Sequence, residues 1–424
     1  MSTRRPTPVQ WREELLAAIS LDRSAERLPL EKARGMVLAA PVRSPEALPP
    51  VPLAAMDGFA VRRAELTAPG TTTLPVLAEL PARPGAVGPL PPGAAARIMT
   101  GAPVPRGADA VIEVEATDAD PFGPVPAEVA LTLPDLPVPG RHVRAPGEEI
   151  AAGAVLAESG DRVGAGLLGL ARTLGIAHLD VQRRVRVAVV VTGDELAPAA
   201  GTGAGPAPAV GAVRESNGAM LTTALAVDGA APLPARRCGD RHEELRRTLA
   251  DAAAEADLVL TTGGIGHGAF DVVKTLLGSR GSGTSRFAHL ALRPGGPQGH
   301  GTLPGGVPVV HLPGTPVGAF VGYHLFVRPL LLGGAAAPRR VRWADVPGGT
   351  APREPSRAGR SGGVHAQPGR LGRAADGAET VALLPGSRLA PYGRADAIVL
   401  CEAAGGGAHA GNDDGTVLVL PLTA

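Results

Sequence analysis

The sequence predicts a multidomain fold of α/β plus β class, and three features carry that prediction. Between residues 183 and 332, buried-type strands alternate with helix-patterned segments, which argues for a parallel α/β sheet. From Pro41 to about Gly140, short apolar runs are punctuated by prolines, the texture of a small β-domain. Beyond a Pro/Gly/Arg-rich seam at 333–363, only strand candidates remain. The 424 residues suffice for roughly two to four domains. With 44% apolar and 19% charged residues, the chain has the balance of an ordered globular protein rather than a disordered one.

Taken in order, helical periodicity occupies 11–19 and returns over 30–39, where Gly35 is a weak point. The proline-punctuated β-region follows. A glycine-rich return then leads into helix signals over 163–174. VRVAVVV (185–191) is a buried strand, 216–227 a helix, 243–254 a second helix and DLVLTT (257–262) another buried strand. Residues 270–277 have helical pattern, VPVVHLPGTP (307–316) carries a further strand, and 318–332 is a helix. Terminal strands are expected near 380–384, 397–401 and 416–420.

Composition excludes several functions. Of the 41 basic residues only Lys32 and Lys274 are lysine, as expected where a GC-rich genome recodes Lys as Arg. A net charge of +1 and ten scattered aromatic residues provide neither a basic face nor a stacking platform for nucleic acid. Cys238 and Cys401 form no CxxC pair, which argues against a disulfide scaffold or thiolate zinc site and fits a reducing cytoplasm. The N-terminus lacks the apolar core of a signal peptide. The most apolar stretch, 163–179, is interrupted by Arg172 and His178 and falls short of the ~20 residues of a membrane span.

Ligands of open α/β sheets bind at the carboxyl ends of strands, and two such ends carry suggestive loops. One strand runs into TGDEL (192–196), the other into TTGGIGHGAFD (261–271). The second is a glycine-rich turn opening a helix, where backbone N–H groups can hold a phosphate, although tight packing alone also explains such a turn. It is neither a Walker A loop nor a dinucleotide fingerprint. Asp194 and Glu195 leave one strand, Asp271 leaves the other, and Asp240 precedes the helix that starts near Glu243. Singly, Asp240 and Asp271 fit helix caps and Glu195 a solvated turn; jointly, beside a phosphate, they fit Mg²⁺, a hard cation that takes oxygen ligands and shares phosphate oxygens.

These motifs resemble, through nearly the whole chain, the MoeA-type molybdopterin molybdenumtransferases, a family that includes the gephyrin E domain. The resemblance is carried by residues 28–62 ending in MDGFAVR, then RIMTGAPVPRGADAVIEVE (97–115), GEEI (147–150), TGDEL (192–196), ESNGAML (215–221), GGIGHGAFDVVK (263–274), RPGGP (293–297) and HLPGTPVGAF (311–320), all in family order. It implies an elongated homodimer of four-domain subunits: a stalk from 1–48 and 141–182, an inserted β-domain at 49–140, a molybdopterin-binding parallel α/β domain at 183–332 and a C-terminal β-barrel at 338–424. The cleft would lie between the α/β domain of one subunit and the inserted domain of the other. The implied reaction is insertion of molybdate into adenylylated molybdopterin with Mg²⁺ and release of AMP, completing the molybdenum cofactor. Asp57, Thr100 and Asp271 would be catalytic; Glu195, Asp240 and Asp271 would bind the metal. Gly263, Gly264, Lys274, Arg293, Ser216 and Asn217 would bind substrate. Other proteins of the cofactor pathway are the implied partners, without nucleic acid or membrane.

The chain departs from the family pattern at several positions. In KPGKP the first lysine is Arg293 and the second Gly296. Gly266 stands for serine, Thr315 for asparagine, Ala54 for serine, Glu149 for aspartate and Glu379 for asparagine. Drift explains Arg293 but not Gly296, which removes a charge. Two readings follow: a transferase, or a degenerate paralogue that binds molybdopterin or a partner protein without inserting metal.

Overall fold

The computed structural model describes residues 5–197, 210–266, 271–332, 337–344, 363–386, 388–402 and 415–422. The chain divides into two units, Ala25–Gln182 and a second made of Met1–Ser24 with Arg183–Ala424.

The unit 25–182 begins and ends side by side, because Ala25–Pro29 pairs antiparallel with His178–Gln182. Above this base a five-stranded sheet runs in the order Ala110–Glu113, Gly58–Val61, Ala95–Ile98, Gly70–Leu80, Glu128–Leu133. Alternate side chains point to opposite faces, so Phe59 and Val61 enter one apolar cluster while Ala60 enters another. Burial on both faces explains why Gly58–Val61 shows no polar alternation. The helix predicted over 30–39 is a single turn, Leu30–Ala33. Gly35 then takes φ +73°, and Gly35 and Leu38 donate their N–H groups to Val163 and Asp161, so tertiary pairing replaces the helix. The helix expected over 163–174 is Ala165–Thr173.

In the other unit the parallel core comprises Arg186–Thr192, Leu258–Thr262 and Pro308–Leu312. Helices Asn217–Val227 and His242–Glu255 and the short helix Val272–Leu277 connect or flank these strands. The sheet is not purely parallel. Pro297–Thr302 joins Pro308–Leu312 antiparallel and Ser285–His289 joins it in turn. The glycines and polar residues of PQGHGT hid that hairpin from an apolar-run reading. The helix expected over 318–332 begins at Pro316 and includes a π-turn at Tyr323–Val327. Phe270, placed in a helix by periodicity, lies outside the described residues, and the helix itself is Val272–Leu277.

The C-terminal region closes into a five-stranded barrel among the described residues. Val364–Arg373 pairs with Glu379–Leu383, which pairs with Arg339–Trp343; this pairs with Thr416–Pro421, that with Ala397–Glu402, and the last returns to Val364–Arg373. Arg339–Trp343 falls inside the stretch expected to be a seam, because RRVRW alternates charge with apolar residues as an exposed barrel strand does. Among the described residues no helix is long and apolar enough to cross a membrane.

Candidate active site

The three parallel strands end together, and their carboxyl-terminal loops line a cavity of about 620 Å³, within the ~300–1,000 Å³ of ligand sites. Its floor is glycine by necessity. Gly263 and Gly264 have φ of +97° and +65°. A Cβ on Gly263 would lie 2.7 Å from both the carbonyl oxygen and the hydroxyl of Thr192, and one on Gly264 would lie 3.1 Å from the backbone nitrogen of Val273. The turn after Leu258–Thr262 therefore passes directly under its neighbours, and its backbone is bare toward the cavity.

Asn217 fixes this floor to the next helix. Buried to 5% exposure, it donates through Nδ2 to Thr262 Oγ1 at 2.6 Å and to the carbonyl of Gly314 at 2.9 Å. Its Oδ1 has no hydrogen-bond partner among the described residues. Ser216 stands at the N-cap of that helix, and Glu215 accepts the N–H of Gly218 at 2.8 Å.

The acidic side is equally ordered. Asp194 and Asp240 exchange hydrogen bonds, each backbone N–H meeting the other's carboxylate at 3.3 and 3.1 Å. Burial, joined by the like charges of Asp194, Glu195 and Asp271, pushes the Asp240 carboxyl above its usual range. Asp271 sits at the N-cap of Val272–Leu277, yet its Oδ1 accepts the N–H of Gly266 at 2.7 Å and so shapes the glycine loop. No group of three acidic, histidine or cysteine side chains among the described residues forms a ready-made metal cage. An oxygen-only set of mutually repelling carboxylates suits a hard cation that keeps waters and shares phosphate oxygens.

Glu195, Asp240, Asp271, Ser216, Asn217, Gly263 and Gly264 thus meet in one cavity. Lys274 and Arg293 are not among its lining. Lys274 Nζ donates back to the carbonyl of Gly266 at 3.1 Å. Arg293 is exposed on the two-residue strand Leu292–Arg293, paired with Val364 and His365 of the barrel. Asp57 and Thr100 belong to the 25–182 unit, where the Thr100 N–H and hydroxyl both donate to Asp57 Oδ1 at 2.6 and 2.7 Å. Those two bonds, with the nearby Arg97 guanidinium, hold Asp57 below the usual carboxylate range. Residue-type reasoning gave no role to Thr192, Thr262, Gly314 or Glu215. The signal was their position inside the motifs TGDEL, TTGG, HLPGTP and ESNGAML.

Residues 8–175 match the family described as "MoeA N-terminal region (domain I and II)", and residues 188–333 match the "Probable molybdopterin binding domain". Molybdopterin molybdenumtransferase 2 of Mycobacterium tuberculosis is 42% identical over 312 residues, covering 72% of this chain and 74% of the relative. The molybdopterin molybdenumtransferase of Haemophilus influenzae is 31% identical over 322 residues, 76% of each chain. The crystal structure of the molybdopterin biosynthesis MoeA protein of Pyrococcus horikosii shares the fold, with a TM-score of 0.75 over 99% of this chain and 100% of that one at 24% identity. With sequence identity extending over about three-quarters of both relatives, the chain belongs to the MoeA-type molybdopterin molybdenumtransferase family.

Proposed function

We propose that this protein is a molybdopterin molybdenumtransferase that takes adenylylated molybdopterin and molybdate, releases AMP and yields the molybdenum cofactor. The observation that carries the reading is the meeting of the bare Gly263–Gly264 backbone with Glu195, Asp240 and Asp271 in one cavity. A phosphoanhydride ligand needs both. The glycine turn lets backbone N–H groups approach phosphate oxygens, and the carboxylates suit Mg²⁺. Glu195, Asp240 and Asp271 would hold the ion, which when bound offsets phosphate charge. Asn217 keeps the turn in place through Thr262 and Gly314, and Asp271 sets the path of the loop through Gly266.

Asp57 and Thr100 enter the same reading from the inserted domain of a second copy in a cytoplasmic homodimer. Supporting this role is their preorganisation: Asp57 is held as a carboxylate by hydrogen bonds already made. The division into four domains remains part of the proposal with one correction: residues 1–24, expected in the stalk, group instead with 183–424, where Trp11, Leu15 and Ile19 are buried, so the stalk is 25–48 with 141–182 beside 49–140, 183–332 and 338–424, and separate apolar clusters support the stalk and the inserted domain. The relatives are named as transferases, which favours the transferase over the non-catalytic alternative drawn from Gly296 and Gly266.

The test mixes purified protein with adenylylated molybdopterin, Mg²⁺ and molybdate and follows AMP release together with reconstitution of an apo-molybdoenzyme. Molybdate-dependent AMP release is expected, and Asp271→Ala should lower it by roughly 100-fold or more while circular dichroism stays unchanged. Tight pterin binding without molybdate-dependent AMP release would sink the enzyme reading.

A further inference from the structure

Asp57 stands on the turn 55–57 between the strands Leu53–Ala54 and Gly58–Val61, and Ala55, Met56 and Asp57 are all exposed. A turn with so little burial of its own holds a carboxylate in one place only if other segments tie it down. Two backbone hydrogen bonds do so. The Ala55 N–H donates to the carbonyl of His142 at 2.8 Å, and the Val114 N–H donates to the carbonyl of Asp57 at 3.2 Å. Among the described residues His142 is also the one non-glycine residue with positive φ, +54°. A side chain persists in that region only where its surroundings over-determine it, and such strain gathers where a group must be held in place.

Glu113 supplies those surroundings. His142 Nε2 lies 3.2 Å from Glu113 Oε2, and Arg141 donates to the same carboxylate through Nε at 3.2 Å and through Nη2. Burial alone would raise the Glu113 pKa, but its own backbone N–H, Arg141 and His142 together hold it below the usual range. Glu113 faces Gly58 directly across the sheet and precedes Val114. The contacts therefore close on themselves. They run from the His142 carbonyl through 55–57 to Val114, then through Glu113 back to the His142 ring.

We propose that His142 is a positioning residue: anchored by Glu113 in its left-handed conformation, it presents the carbonyl that holds the Ala55 end of the turn and so sets where the Asp57 carboxylate stands. The inference rests on the part given to Asp57 above and names what places it.

The experiment compares full-length wild type, His142→Gly, His142→Asn, Asp57→Asn and the double variant Asp57→Asn/His142→Gly. Glycine accepts φ +54° without strain, so His142→Gly removes the anchor but not the conformation, and its melting temperature should stay near that of wild type. Its kcat for AMP release should fall about 10- to 100-fold, the scale of a catalytic group misplaced by about an ångström. KM for adenylylated molybdopterin should stay within about twofold. His142→Asn, which tolerates the left-handed region and keeps a side-chain N–H donor, should recover part of the loss. In the Asp57→Asn background, His142→Gly should change the residual AMP release by less than about twofold, because a residue acting through Asp57 has nothing left to place. Equal losses in both backgrounds overturn the inference, as does wild-type AMP release by His142→Gly. Hydrogen exchange over residues 53–60, read by mass spectrometry, needs no turnover and should be about tenfold faster in His142→Gly. Unchanged exchange also overturns the inference. A wild type that releases no AMP, together with faster exchange in His142→Gly, would remove the transferase reading and leave the tether standing.

Discussion

Single residues carry much of the preorganisation in both units. Arg97 is 7% exposed and donates to the carbonyls of Gly123 and Pro121 at 2.8 and 2.6 Å, so it clamps the loop on either side of Phe122. It also contributes to keeping Asp57 ionised. Arg97→Leu should cost about 2–4 kcal/mol by leaving those acceptors unpaired, read from the urea midpoint, and should raise the Asp57 pKa in a carbon-13 titration. Gly264 is constrained differently, by φ +65° and by the backbone nitrogen of Val273 3.1 Å from any added Cβ. Gly264→Ala should destabilise by about 1–3 kcal/mol and displace the turn under the cavity. A Gly264→Ala protein with wild-type stability and AMP release would refute the need for glycine there. Buried His311 shows how a polar group is kept inside: Nδ1 meets Thr261 Oγ1 at 2.8 Å and Nε2 meets Ser285 Oγ at 3.0 Å, and burial pushes its pKa down to about 3.

At the level of elements, the N-terminal helix Pro8–Ala18 is held by local and distant contacts together. Thr7 and Gln10 form a capping box at its start. Trp11 is fully buried, its ring 5.2 Å from that of His300 and 5.6 Å from the Arg286 guanidinium, while Glu14 binds both Arg286 and His300. The hairpin that no apolar run announced is therefore also the helix's seat. Trp11→Ala should cost about 3–5 kcal/mol, measured by denaturant unfolding. Strand entry is governed by another ionic cluster. Asp257 receives hydrogen bonds from Arg183 and from both the side chain and backbone of Arg186. Burial alone would raise its pKa, but these partners hold it at about 2. A folded-state pKa below the unfolded value means the stabilisation is complete above the unfolded pKa of about 3.9 and is lost as pH falls through 2. It amounts to about 2–3 kcal/mol. Asp257→Asn should remove that part of the acid sensitivity, seen as a flatter plot of stability against pH between about 5 and 2.

On the scale of the whole molecule, the two units differ in how their cores are divided. Every apolar cluster of 25–182 is built from its own residues, and its two ends leave as paired strands. The fragment 25–182 should therefore fold alone and melt cooperatively in calorimetry, and a fragment without a transition would contradict this. The other unit has local clusters in the α/β sheet and in the barrel, but one further core is shared across its parts. Val327 and Leu330 at the end of the α/β region, Ala366, Ile398 and Leu420 of the barrel, and Trp11 of the N-terminal helix all belong to a single cluster. The buried Arg328–Asp228 pair at 2.9 Å is completed by the Tyr323 hydroxyl at 2.7 Å, and Arg328 reaches the Pro421 carbonyl at 2.6 Å. That set ties the helix, the π-turn and the last barrel strand into one body.

The amino-acid order by itself determined the strong periodicities and the local constraints. VRVAVVV and DLVLTT read as buried strands, 243–254 as a helix and GGIG as a glycine-rich turn, and each is so in the structure, the turn with positive φ at Gly263 and Gly264. These are legible because each depends on residues within a few positions of one another. Tertiary structure decided what depends on partners far along the chain. It ended the 30–39 helix after one turn, made strands of PQGHGT and RRVRW, turned Lys274 back onto Gly266 and placed Arg293 beside the barrel. In each case local preference is weak, because charged, glycine-rich or short segments gain little by folding alone. Long-range pairing and shared volume, which no spacing encodes, choose the outcome.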